Sequence, residues 1–85
     1  MTEQEIYTIL AHALENLFEI DAQRITPEAD LFTDLEIDSI DAIDLIDYIK
    51  RETGHKLQAE DFRNVRTVAD VVQAVLERAK QVTHV

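Results

Sequence analysis

Asp38-Ser39-Ile40-Asp41-Ala42-Ile43-Asp44-Leu45-Ile46-Asp47-Tyr48-Ile49-Lys50-Arg51-Glu52-Thr53-Gly54 reads as one amphipathic helix with both ends marked. The helix begins at Asp38 or Ser39, since either side chain suits the N-cap, and runs to about Thr53. Gly54, the only glycine in the chain, stands where a left-handed C-cap wants one. On a wheel of about 100° per residue with Asp38 at zero, Ala42, Ile43, Leu45, Ile46 and Ile49 fall in an arc centred at about 60°, with Ile40 at its edge. Asp41, Asp44, Asp47 and Arg51 fall in an arc at about 240°. The first arc is expected to be buried and the second to be a solvated, mainly acidic strip. Tyr48 lies on the acidic side, its ring partly exposed.

Toward the N-terminus, Thr2-Glu3-Gln4-Glu5 fits a capping box. Ile6, Ile9, Leu10, Ala13, Leu14, Leu17 and Phe18 then follow in steps of three and four, which predicts a helix ending near Glu19. The stretch 20–38 has no clean period. Its Ile20, Ile25, Leu31, Phe32, Leu35 and Ile37 predict a long loop packed across a bundle, with Thr26-Pro27-Glu28 capping a single helical turn.

Toward the C-terminus, His55–Gln58 forms a connector and Ala59-Glu60-Asp61-Phe62 a short helical turn with Phe62 and Val65 pointing inward. Thr67-Val68-Ala69-Asp70 is a second capping box. It opens a last helix whose apolar face is Val68, Val71, Val72, Val75, Leu76 and Ala79. Arg78 and Lys80 suit the negative end of its dipole, and the residues after Gln81 are expected to fray. The expected architecture is all-α: a four-helix bundle of three main helices and one short one, with a long loop between the first two. It is one domain over 1–85, with its core between about residues 3 and 80.

Composition bounds the function. The 85 residues carry 18 Asp and Glu against 8 Lys and Arg, a net charge of -10. Residues 1–49 hold 13 acids and only Arg24, whereas residues 50–85 hold 5 acids and 7 bases. Such a surface repels nucleic-acid phosphates and speeds association with basic protein partners. The absence of cysteine removes disulfides, thiolate zinc sites and a cysteine nucleophile. With 46% hydrophobic residues and no staple, the fold must rest on aliphatic packing. No apolar run reaches the roughly 18 residues of a membrane span, and the N-terminus lacks the regions of a signal peptide, so a cytoplasmic location is expected. No seam marks a stable homodimer, and a monomer is expected.

Few residues carry chemistry. His12, His55 and His84 form no motif with a carboxylate, and no metal site is expected. The Asp38, Asp41, Asp44, Asp47 series lies on a helix, not on the glycine-containing loop that calcium needs. Ser39 lacks the strained elbow and histidine base of a catalytic nucleophile. If Asp38 serves as the cap, the Ser39 hydroxyl is free for modification. A phosphate there is expected to meet unsatisfied N–H groups at the positive end of the helix.

Asp30-Leu31-Phe32-Thr33-Asp34-Leu35-Glu36-Ile37-Asp38-Ser39-Ile40-Asp41, continuing through Asp44-Leu45-Ile46, resembles the acyl carrier proteins. Thr67-Val68-Ala69-Asp70-Val71-Val72 resembles the family's last helix, and the likeness covers roughly residues 3–80. The Asp-Ser-Ile tripeptide alone is a weak signal. It is strong when placed after a long loop and before an acidic helix.

The resemblance implies a non-catalytic carrier of acyl thioesters for fatty-acid or polyketide-type biosynthesis. Ser39 would bear 4'-phosphopantetheine, transferred from coenzyme A by a phosphopantetheinyl transferase. Asp38, Ile40, Asp41, Asp44, Asp47 and Tyr48 would face partner enzymes of the ketosynthase, acyltransferase or ligase, ketoreductase and dehydratase types. Ile43, Ile46, Val65, Val71 and Val72 would part to shelter an acyl chain.

Glu36 and Ile37 stand just ahead of the Asp-Ser pair, where the family often has glycine, and Ile40 replaces the commoner leucine. Asp47, Tyr48, Lys50 and Arg51 also depart from the housekeeping fatty-acid carriers. These differences point to a specialised fatty-acid or polyketide-like pathway, such as aryl polyene synthesis.

Two other functions fit the residues. An aminoacyl or peptidyl carrier also uses a modified serine, though usually with a Gly-Gly nearby and a less acidic second helix. An unmodified helical interaction module would use the Asp strip alone and would survive Ser39→Ala.

Overall fold

The computed structural model describes residues 2–82. Four α-helices appear among them: α1 (Glu3–Phe18), α2 (Ser39–Thr53), α3 (Ala59–Arg63) and α4 (Val68–Val82). There is no strand among the described residues, only an isolated antiparallel bridge between Asp30 and Thr67. The architecture is the all-α one expected. Val82, expected to fray with the other residues after Gln81, is the last residue of α4; the expectations for the Lys80 side chain, for the residues after Val82 and for His84 fall outside the described side chains and residues.

Helices α1, α2 and α4 start where the sequence supplies a side-chain partner for the orphan N–H groups. In α1, Thr2 Oγ1 accepts from Glu5 N–H at 3.2 Å, and Glu5 returns the bond to Thr2 N–H at 2.8 Å. In α4, Thr67 and Asp70 do the same at 3.2 and 3.1 Å. The α1 helix ends on Glu19 in the left-handed region, with Ile20 N–H closing on the Leu14 carbonyl at 3.4 Å. Gly54 ends α2 at φ 79°, where a Cβ would be strained.

Packing decides which faces are buried. α1 packs against both α2 and α4. Its Ile6, Leu10, Ala13 and Leu14 are buried, while Leu17 at its end is exposed. Val68, Val71, Val72 and Val75 of α4 are all buried. Burying a valine gains about 1.5 kcal/mol or more, which exceeds its helix-propensity cost of about half a kcal/mol.

The loop 20–38 lies across the bundle as expected, burying Ile20, Ile25, Ala29, Leu31, Leu35 and Ile37. Backbone bonds fix it to the start of α4: Leu31 N–H to Arg66 O at 2.8 Å, Val68 N–H to Ala29 O at 3.1 Å and Ala69 N–H to Pro27 O at 2.9 Å. The Tyr7 hydroxyl donates to Ile25 O at 3.2 Å.

Two expectations for this loop need correction. A 3-10 helix that was not expected sits at Ala22–Arg24, while Thr26-Pro27-Glu28 makes a single hydrogen-bonded turn but no helix. Asp21 caps the 3-10 helix by accepting from Gln23 N–H at 2.9 Å, whereas the single turn is closed by Ala29 N–H on Thr26 O at 3.1 Å. Phe32 is exposed. It is turned outward in the tight turns that Asp30 organises by accepting from Phe32 and Thr33 N–H at 2.9 and 3.0 Å.

Candidate functional site

Asp38, not Ser39, is the N-cap of α2. Its Oδ1 accepts from Ile40 N–H at 3.0 Å and from Asp41 N–H at 2.9 Å. Asp41 Oδ2 accepts in return from Asp38 N–H at 3.5 Å. Ser39 is thereby left as the first residue of the helix, exposed, with a hydroxyl that makes no hydrogen bond among the described residues. It is also the only serine in the chain.

This capping corrects one expectation. The Asp38 carboxylate already occupies the Ile40 and Asp41 N–H groups, two of those that a phosphate on Ser39 was expected to meet. The hydroxyl otherwise fits an attached prosthetic group: it is accessible, unengaged and carried on the first turn of a regular helix. The backbone just before it is constrained, with Glu36 at φ 57°, a region that favours glycine. Ile37 is buried and its N–H bonds Leu31 O at 2.9 Å.

The buried face of α2 is narrower than its sequence suggests and is turned by about 45° on the wheel. Only Ala42, Leu45 and Ile49 are buried; Ile46 is half-buried. Ile43, expected in the core, is 66% exposed, and Ile40 is 71% exposed. The reason is that α2 packs chiefly on α1, which covers a stripe about one residue wide per turn. The solvent face therefore alternates Ile40 and Ile43 with Asp44 and Asp47, while Asp41 and Tyr48 are half-buried at its margin. Asp47 pairs with Arg51 at 3.7 Å, both exposed, so that contact adds little stability.

Ile43 and Ile46 line a groove of about 540 Å³ together with Asp44, Asp47, Lys56, Leu57 and Gln58. Ser39, Ile43 and Ile46 are spaced i, i+4, i+7 and share one helix face, so the groove begins about one turn beyond Ser39. Val65, Val71 and Val72, expected to join this pocket, do not line it; all three are core residues. Val72 instead borders a separate cleft of about 270 Å³ between α1, α4 and Pro27, beside Tyr7 and Gln73. Leu57, Lys56 and Gln58 were missed because they reach the groove through tertiary folding of the connector, which no periodicity reports.

The carboxyls held below the ordinary range belong to residues that cap helices or, for Asp30, a loop turn, and none is a predicted site residue. The Gln58 N–H, followed by the Arg78 side chain, depresses Asp61. The Thr67 and Arg66 N–H groups depress Asp70, and the Thr33 N–H depresses Asp30. His12 is exposed, and the Nδ1 of His55 is buried without a hydrogen-bond partner. Among the described residues, no three His, Asp or Glu side chains converge as metal ligands, and no helix is long and apolar enough to cross a membrane.

Comparison with known proteins bears on the same segment. The family described as "phosphopantetheine attachment site" matches residues 8–75. Acyl carrier protein 2 of Ralstonia nicotianae is 47% identical over 75 residues, which span 88% of this chain and 93% of that protein. The meromycolate extension acyl carrier protein of Mycolicibacterium smegmatis is 35% identical over 71 residues, spanning 84% of this chain and 72% of the relative. Among solved structures, the acyl carrier protein from Enterococcus faecalis superposes with a TM-score of 0.75 at 27% identity, covering 92% of this chain and 99% of that one.

Proposed function

The chain belongs to the acyl carrier protein family, and from that premise we propose that Ser39 takes 4'-phosphopantetheine from coenzyme A and that the protein carries acyl groups between enzymes without catalysing their chemistry. The observation that carries this reading is the division of labour at the start of α2. Asp38 satisfies the helix, and the lone serine beside it keeps a free, exposed hydroxyl. The thiol of the bound arm supplies the thioester chemistry that a chain without cysteine lacks.

The face of α2 is the docking surface in this reading. Asp38, Asp41, Asp44 and Asp47 steer the carrier toward basic patches, and Ile40, with Tyr48 at the margin, adds apolar contact. Charges on an exposed face raise on-rates more than affinity, which suits a carrier that visits enzymes in turn. The first partner is a phosphopantetheinyl transferase. The later ones are enzymes of the ketosynthase, acyltransferase or ligase, ketoreductase and dehydratase types. The groove at Ile43, Ile46 and Leu57 shelters the cargo between visits. Asp47, Tyr48, Lys50 and Arg51 favour a specialised pathway over housekeeping fatty-acid synthesis.

The test is intact mass after incubation with coenzyme A and a broad-specificity transferase, beside Ser39→Ala. The reading requires a gain of one phosphopantetheine on the native chain and none on the variant.

A further inference from the structure

We propose that the Asp61–Arg78 ion pair sets the length of acyl chain the Ile43–Ile46–Leu57 groove accepts, with Arg78 acting as a positioning residue through Asp61 and Gln58. The inference rests on the reading of that groove as the cargo site.

The groove has two unlike walls. Ile43, Asp44, Ile46 and Asp47 stand on α2, a regular helix of 15 residues. Lys56, Leu57 and Gln58 stand on the connector into α3, a helix of only 5 residues. The connector is tied to the end of α2 through Thr53 Oγ1, which accepts from His55 N–H at 3.1 Å and donates to His55 O at 3.4 Å, but among the described residues Lys56, Leu57 and Gln58 make no backbone hydrogen bond to α2. Leu57 and Phe62 hold it by burial, and one carboxylate oxygen holds it by charge. Asp61 Oδ2 accepts from Gln58 N–H at 2.9 Å and from Arg78 Nε and Nη2 at 3.0 and 2.6 Å.

Gln58 is both the N-cap of α3 and a lining residue of the groove. Arg78 on α4 therefore fixes the lip of the groove through one intermediary. The pair is partly buried, at 30% exposure on each side, and charge-assisted bonds of this kind are stronger and more directional than neutral ones. Lysine cannot reproduce the two-nitrogen fork.

The test loads the full-length chain, through a broad-specificity transferase, with acyl groups from butyryl to myristoyl. It reads the Tm of each acyl form relative to the unacylated holo form. In the native protein this shift should rise with chain length and then level off. In Arg78→Ala the levelling point should move to longer chains, with Arg78→Lys intermediate, and Gln58 amide exchange should quicken about tenfold. Asp61→Asn, which keeps the side-chain shape, serves if Arg78→Ala does not fold, and should move the levelling point the same way.

A variant profile that is lowered equally at every length, parallel to the native one, overturns the proposal and leaves the groove reading standing. A native profile flat with chain length overturns both.

Discussion

Asp38 and Asp41 cap one another across the first turn of α2. Asp38 Oδ1 accepts from Asp41 N–H at 2.9 Å, and Asp41 Oδ2 accepts from Asp38 N–H at 3.5 Å. Two acidic residues that read as members of a partner-facing strip thus also hold the helix that presents Ser39. Asp38→Ala should cost about 1 kcal/mol in urea unfolding, whereas Ser39→Ala should change stability little. A cost at Ser39 equal to that at Asp38 would mean that the serine shares the cap.

Glu36 holds a left-handed conformation, φ 57°, three residues before Ser39. Strain relief outweighs the added chain entropy of glycine there. Glu36→Gly should stabilise the fold by about 0.5 kcal/mol, and Glu36→Val should destabilise it, both read as shifts of the urea midpoint.

Neighbouring apolar residues of α2 should respond in opposite ways. Leu45 is fully buried, and Leu45→Ala should cost about 3 kcal/mol. Ile43→Ala should leave unfolding almost unchanged, but should reduce the Tm gain on acylation. Equal losses of stability at both positions would place Ile43 in the core after all.

Acid should expose the Asp61 latch. Its carboxyl is held below the usual 3.8 by the Gln58 N–H and by Arg78. A depressed carboxylate contributes stability above its unfolded pKa and loses it as pH falls through the folded value. The stability gap between the native chain and Asp61→Asn should therefore be constant above about pH 5 and close as pH falls below the ordinary carboxylate range. A gap that widens on acidification would reverse the sign of the assignment.

Charge reversal on the docking face should act on encounter. Asp44→Lys with Asp47→Lys should slow association with the transferase by about tenfold at low salt and flatten its salt dependence. Stopped-flow binding at two ionic strengths measures both.

Much of this was legible in the residues. The capping boxes at Thr2 and Thr67, the left-handed Gly54 and the limits of α2 are local signals, set within a few residues of one another. The outward turn of Ile40 and Ile43 was not, because a wheel averages over all apolar residues while packing against a single neighbour selects Ala42, Leu45 and Ile49. The groove was half legible: Ile43 and Ile46 lie on the helix, but Leu57 and Gln58 reach them only through the folded connector. The cap at Asp38 left Ser39 as the free partner of the pair, a choice the sequence kept open until the hydrogen bonds resolved it.

The most direct test of the account is to locate the modification. After treatment with coenzyme A and transferase, trypsin releases residues 25–50 as one peptide, which also contains Thr26, Thr33 and Tyr48 as competing hydroxyls. Fragment-ion mass spectrometry should place one phosphopantetheine on Ser39. An unmodified peptide from folded protein, or the group on any other hydroxyl, would contradict the assignment of this chain's carrier function to Ser39.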